Sequence, residues 1–364
     1  MATIALDATY VADPEPSGIS VYSRRLIESL TEIETGYRFL ACYRLSRWKR
    51  RKYFIDETRS RLSTFLFQEP WTFWLPRQAD LFHSLAQRPA PFRFKKEIVT
   101  IHDVFPLSAR NYSTPSFQRK FSKLLIEAAR RAARIITPSE YTASELHRHT
   151  GTAKEKIRII AEGVDLPTVL LSPQLRRKER ERRVGKGQEL ILLVGVLQTR
   201  KNTLGALRAL ERLPAKYSMV SVGGEGYGSE AIQEYASKHN LGGRIKFIGH
   251  ASREELSVLY QAATLLLFPS FEEGFGLPVL EAMAHGLPVV ASRTSSLPEV
   301  GGEAAAYIDP HNEEEIAETV QKVAADQALR QRMMQAGMAR AKEFSWRRAA
   351  AMTLAVYEEV LGPA

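Results

Sequence analysis

Residues Pro269–Ser292 read PSFEEGFGLPVLEAMAHGLPVVAS. The apolar run Leu265–Phe268 leads in as a short buried strand, and an apolar-periodic segment from about Leu277 leaves as a helix. At the junction Gly274, Phe275 and Gly276 follow Glu273 directly. Glycines there let backbone N–H groups approach a ligand closely. The helix start beginning at Leu277 adds unpaired donors and a partial positive charge, which suits a phosphate or a sugar oxygen. Glu281 lies one to two turns inside the helix. Each carboxylate can accept two hydroxyl hydrogens, as a ribose or hexose diol offers. A surface glutamate pair beside a glycine-rich turn would look the same locally, so the flanking sequence has to decide.

Outward from this stretch, strands are expected at Leu190–Val194, Met219–Val222, Ile245–Ile248 and Val289–Ala291, with helices between them at Leu204–Leu213, Ser229–Lys238 and Arg253–Gln261. Strand–helix alternation at this spacing means right-handed βαβ units and a parallel sheet. The first half alternates in the same way. Strands are expected at Thr3–Asp7, Phe39–Tyr43, Leu81–Ser84, Ile98–Ile101 and Arg134–Thr137, and a helix at Gly18–Glu32. The charged run Arg176–Arg183 (RRKERERR) has no apolar residue and reads as a linker or an exposed helix at a domain boundary. The expected class is α/β with two doubly wound, Rossmann-like domains facing a central cleft. The first spans 1–165 and is joined by a C-terminal helix at about 348–364. A linker spans 166–184 and the second domain 185–347. Ligands are expected at the carboxyl ends of the strands.

The chain has 364 residues with 51 Lys+Arg against 41 Asp+Glu, a formal charge of +10. The excess is one-sided: residues 1–163 hold 27 basic and 17 acidic residues, and residues 164–364 hold 24 of each. The densest part, 38–61, carries nine basic residues, among them Arg47, Lys49, Arg50, Arg51, Lys52 and Arg59. Such a run points to an anionic partner: nucleic acid, membrane phospholipid or an acidic metabolite. A nucleic-acid binder would interleave basic residues with stacking aromatics. Trp48, Tyr53 and Phe54 do lie there, but that reading leaves the whole second half unexplained, and no nucleic-acid partner is expected. The single cysteine, Cys42, excludes an intrachain disulfide and a cysteine-based zinc site. No apolar run is long enough to span a bilayer, and the N-terminus lacks a signal-peptide pattern, so a cytoplasmic protein is expected.

With these segments placed, the Pro269–Ser292 stretch resembles the signature of glycosyltransferase family 4, retaining enzymes of the GT-B fold, in the manner of mannosyltransferases of polysaccharide and lipopolysaccharide assembly. Further segments resemble the family in order along the chain: Ser17-Gly18-Ile19 with Tyr22, Thr100-Ile101-His102-Asp103, Pro138-Ser139-Glu140, Val194 to Asn202, Val222-Gly223-Gly224, Phe247-Ile248-Gly249 and Leu297-Pro298-Glu299-Val300. Where many relatives have two glycines in the first turn, this chain has Pro16-Ser17 before Gly18.

The resemblance implies roles. Arg200 and Lys201 would hold the donor diphosphate in place of a metal. Glu273 would contact the donor sugar hydroxyls and Glu281 the nucleoside ribose. Gly18, Gly223, Gly274, Phe275, Gly276 and Leu277 would line the donor site. His102 would lie near the anomeric carbon, to orient the sugar or assist the acceptor proton. Asp103 and the basic residues Arg47, Lys49, Arg50, Arg51 and Lys52 would belong to the acceptor side or to an anionic membrane face, with Phe65, Phe67, Trp71, Phe73 and Trp74 nearby. The implied reaction moves a hexose, with mannose from GDP-mannose as the guess, from a nucleoside diphosphate sugar to a glycan or lipid-linked hydroxyl. No cofactor and no metal are expected. A nucleotide-sugar hydrolase or epimerase of the same fold is the alternative.

Overall fold

The computed structural model describes residues 2–15, 17–56, 61–108 and 111–362. Pro16 and Arg59 lie outside the described residues. The chain divides into two compact units: Met1–Arg110 with Pro115–Gly163 and Phe344–Ala364, and Asn111–Thr114 with Val164–Glu343. Elements are numbered along the chain.

The first unit is built on a seven-stranded parallel sheet. Its strands are β1 (Thr3–Asp7), β2 (Arg38–Arg44), β3 (Leu62–Phe67), β4 (Leu81–Ser84), β5 (Glu97–Thr100), β6 (Arg134–Thr137) and β7 (Ile157–Ile159), in the order β3-β2-β1-β4-β5-β6-β7. The order reverses between β1 and β4, which makes their carboxyl ends the switch point of this sheet. Helices α1 (Gly18–Glu32), α2 (Pro115–Arg131) and α3 (Glu140–Thr150) cover it. Tyr22, Leu26, Ile27 and Leu30 form the buried face of α1, at the 3.6-residue period read from the sequence. Ser17 caps α1 by accepting from the Ser20 amide, and Ser139 caps α3 through the Thr142 amide.

The last helix, α12 (Trp346–Leu361), packs along α1. A chain of buried polar groups ties it to the sheet. Tyr357 OH lies 2.7 Å from His83 Nδ1, His83 Nε2 lies 2.9 Å from Thr100 Oγ1, and the Tyr22 hydroxyl lies 3.0 Å from the same Thr100 oxygen. Burial pushes the His83 pKa down to about 3, so this imidazole is neutral and offers one donor and one acceptor. At the helix start a Cβ on Gly163 would fall 2.3 Å from the Trp346 amide nitrogen, so only glycine admits this approach.

The second unit holds a six-stranded parallel sheet: β8 (Glu189–Val194), β9 (Tyr217–Val222), β10 (Ile245–Phe247), β11 (Leu265–Phe268), β12 (Val289–Ser292) and β13 (Ala305–Ile308), ordered β10-β9-β8-β11-β12-β13. Its switch point is at β8 and β11. The helices are α4 (Pro173–Val184), α5 (Thr203–Arg212), α6 (Ser229–Lys238), α7 (Arg253–Ala262), α8 (Leu277–Ala284), α9 (Leu297–Gly301), α10 (Glu313–Ala325) and α11 (Gln327–Ala341). Ile191, Leu193, Leu207, Leu210, Leu267 and Val320 centre the core.

Two boundaries differ from the sequence expectation. Residues 166–184 belong to the second unit. Their helix, α4, buries none of its residues, yet it lies against α7 and β8, with Arg180 donating to the Ala262 carbonyl and Arg183 paired to Glu255. The return to the first unit begins at Phe344, ahead of 348. Strands β3, β7 and β13 had not been expected. Among the described residues no helix is long and apolar enough to cross a membrane.

Candidate active site

In the second unit Arg200, Lys201 and Glu273 converge at the sheet's switch point, while Glu281 meets Tyr260 instead. After β8 the chain passes Gly195, at φ 136°, into the short turn Thr199–Lys201. Asn202, in the left-handed region at φ 53°, ends that turn and caps α5 by accepting from the Gly205 amide at 3.2 Å. Its Nδ2 also donates to the Pro310 carbonyl at 2.7 Å. The turn is thereby fixed, and Arg200 and Lys201 with it. A Cβ on Gly223, at φ 142°, would fall 2.1 Å from the Gly195 carbonyl oxygen. Glycine there lets the ends of β8 and β9 close together.

Glu273, just past β11, receives both cations. Lys201 Nζ donates to Oε1 at 2.6 Å and Arg200 NH1 to Oε2 at 3.0 Å. Arg200 also donates to the Glu272 carbonyl, and Lys201 Nζ lies 4.9 Å from the Phe268 ring centroid. Arg200 and Glu273 are buried. Burial alone would raise the Glu273 pKa, but Lys201 and Arg200 outweigh it and hold the carboxyl down to about 2. The Glu273 amide donates to Ser295 Oγ at 3.0 Å. Ser296 Oγ donates to the carbonyls of Glu273 and Phe275 at 2.9 and 2.8 Å. These serines fix the backbone of 273–275, Gly274 included. Sequence reading had not marked them, although they lie just before the Leu297-Pro298-Glu299-Val300 segment. Gly276, at φ 113°, immediately precedes Leu277, the first residue of α8. Glu281, half-buried in α8, accepts from the Tyr260 hydroxyl at 2.8 Å, and burial with Glu281 pushes the Tyr260 pKa well up.

In the first unit His102 follows β5 and is buried with both ring nitrogens engaged. Nδ1 lies 2.9 Å from Glu162 Oε1 and Nε2 2.9 Å from the Leu85 carbonyl oxygen. Both ring nitrogens therefore face oxygen acceptors, which favours the protonated ring. Burial lowers its pKa, but Glu162 and the Leu85 carbonyl more than offset this and raise it overall. The edge of Tyr22 meets the ring at 4.5 Å. Gln87 spans to both neighbours, accepting from the His102 amide and donating to Asp103 at 3.3 Å. Glu162, 60 residues away in sequence, had not been singled out. Gly18 is the first residue of α1.

The family model described as "Glycosyltransferase Family 4" matches residues 17–167, and "Glycosyl transferases group 1" matches residues 176–340. The O-antigen chain mannosyltransferase B of Escherichia coli is 30% identical over 272 residues, 74% of this chain and 71% of that protein. The chain belongs to glycosyltransferase family 4.

Its fold is GT-B. Anabaena HepE, solved with UDP and glucose, superposes on this family 4 glycosyltransferase with a TM-score of 0.79 at 17% identity, over 99% of this chain and 100% of that one. The serotype-specific mannosyltransferase WbdA of Escherichia coli is 28% identical over 73% of the chain, which spans only 34% of that longer protein.

The basic segment of the enzyme is a short 3-10 stretch, Leu45–Tyr53, directly after β2. Lys49, Arg51 and Lys52 are exposed and Arg47 half-exposed, while Arg50 pairs with Asp13 at 3.3 Å. Arg51 lies over the Trp48 ring. Trp71 and Phe73, after the neighbouring strand β3, are 73% and 68% exposed. Phe67 is buried and Phe65 half-buried, because both lie in β3 and pack into the sheet's core.

Proposed function

We propose that this glycosyltransferase moves a hexose, mannose from GDP-mannose, to a hydroxyl of a glycan or lipid-linked acceptor in cell-surface polysaccharide assembly, with retention and without a metal. The observation that carries the reading is the buried Arg200–Lys201–Glu273 cluster at the switch point of the second sheet. Lys201 and Arg200 supply the positive charge that a departing diphosphate needs. Glu273 is held ionised to accept from the donor sugar hydroxyls, and Glu281 from the ribose. The names of two relatives, both mannosyltransferases, support mannose. With Nδ1 bonded to Glu162 and Nε2 to the Leu85 carbonyl, His102 is held in one orientation to position the sugar.

The exposed Trp48, Trp71, Phe73 and Trp74 beside Lys49, Arg51 and Lys52 support a peripheral position on the anionic cytoplasmic membrane face. Flotation with anionic and with neutral vesicles tests it, and equal recovery from both refutes it.

The reaction is tested by incubating the enzyme with GDP-mannose and, in parallel, UDP-glucose. Each is run with and without a mannose-terminated acceptor, and with and without EDTA. Acceptor-dependent release of GDP, unaffected by EDTA and abolished in Lys201→Met, is expected. GDP release that ignores the acceptor identifies a hydrolase instead.

A further inference from the structure

The first unit carries a cation that the proposed chemistry leaves unused. Past the end of β4 the chain runs through Leu85 and Gln87 to Arg88. The Arg88 guanidinium lies near two aromatic rings, its Cζ 5.6 Å from the Tyr10 centroid and 5.4 Å from that of Phe121. Tyr10 sits in the short turn Thr9–Ala12 after β1, and Phe121 in α2, where it stacks on Phe117 at 4.0 Å. Arg88 is thus mounted beyond the carboxyl ends of β1 and β4, the switch point of this sheet, where doubly wound folds bind ligands.

Among the described residues the Arg88 side chain makes no hydrogen bond and no ion pair. A guanidinium without a partner offers an N–H fork that matches the bidentate geometry of a phosphate. The surrounding charge favours an anion too. Arg88, Arg44 and Arg47 all act on the Tyr10 phenol, against one carboxylate, Asp7. Arg44 is paired with Glu69 at 3.2 Å, but Arg47 has no acidic partner among the described residues. Asp7 is buried and accepts from the Thr9 amide.

We propose that Arg88, with Arg47 adding charge at longer range, is an anion subsite of the first unit that takes the phosphate or diphosphate of the acceptor. The inference rests on the reading of the first unit as the acceptor side. It makes the acceptor an anionic one, a sugar carried on a phosphate or diphosphate ester, and not a neutral glycan.

Titration calorimetry with inorganic pyrophosphate tests the site on four full-length proteins: wild type, Arg88→Met, Lys201→Met and the double variant. Methionine keeps the packing near the rings and removes the charge, and circular dichroism checks the fold. Two classes of site are expected in wild type. Arg88→Met weakens one of them roughly ten- to hundred-fold, the loss for a charge-assisted hydrogen-bonded pair. Lys201→Met removes the other. A pyrophosphate isotherm unchanged by Arg88→Met overturns the proposal. Failure of the donor reading looks different: Lys201→Met then changes nothing while Arg88→Met still weakens binding. Flotation with vesicles containing phosphatidylglycerol separates an acceptor phosphate from a lipid headgroup. Arg88→Met is expected to float like wild type, and a loss of flotation without a loss of pyrophosphate binding overturns the assignment.

Discussion

Removing Glu273 takes the shared counter-ion from two cations at once. Arg200 and Glu273 are buried, and the Lys201 and Arg200 contacts are 2.6 and 3.0 Å. Breaking a buried pair from one side costs about 3–5 kcal/mol, because the remaining charge stays desolvated. The carboxyl leads to a similar figure. A group that falls from its ordinary 4.5 to about 2 on folding contributes about 3 kcal/mol of stability above pH 5. For a unit of this size, Glu273→Ala should lower the midpoint of the corresponding calorimetric transition by roughly 6–20 °C at pH 7. Glu273→Gln should be destabilised as well, since its amide presents an acceptor to one cation and a donor to the other. Because the folded pKa is depressed, the contribution is present above pH 4.5 and is lost as pH falls toward 2. The gap between wild type and Glu273→Gln should close over that window. Pyrophosphate supplies the missing negative charge, so it should raise the midpoint of Glu273→Ala more than that of wild type. A Glu273→Ala protein within about 1 kcal/mol of wild type, with no added gain from pyrophosphate, refutes the buried-cluster reasoning.

Three further outcomes are expected. Glu162→Gln removes the charge that raises the His102 pKa, so that pKa, followed by imidazole NMR, should drop. His102 binds its proton more tightly folded than unfolded, so its contribution in wild type is full below pH 6.5 and fades as pH rises through the folded value, and the variant should flatten that dependence. Tyr357→Phe leaves His83 Nδ1 without its 2.7 Å partner and should cost about 1–3 kcal/mol in urea unfolding. Gly223→Ala puts a Cβ against the Gly195 carbonyl at a positive φ. It should destabilise the second unit by more than about 1 kcal/mol and weaken nucleotide binding in a thermal-shift assay.

The turn that carries Glu273 was readable because its chemistry is local. Glu273, Gly274, Phe275 and Gly276 are consecutive, and the backbone turn they make is fixed within a few residues. What was missed is either too short or too distant to leave a local mark. Strand β7 is three residues, Ile-Arg-Ile, too short for its alternation to mark a strand. Strand β3, LSTFLF, follows a charged segment, so its aromatics resembled an exposed patch when Phe67 in fact fills the sheet's edge. Helix α4 lacks an apolar stripe because arginine hydrogen bonds hold it, and a charge run looks the same in a linker. Glu162 and Ser296 act through the fold and carry no motif of their own. The same holds for Arg88, whose surroundings come from α2 and the turn after β1.

The tie between α12 and the sheet of the first unit also bears on synthesis. Residues 344–362 leave the ribosome only after the whole of 164–343. Until they do, His83 lacks its Tyr357 partner and the apolar face of α1 lacks its cover. Most of the second unit, being nearly continuous in sequence, can form while translation proceeds. The earlier-made unit can be completed only after the whole of the second has been synthesised.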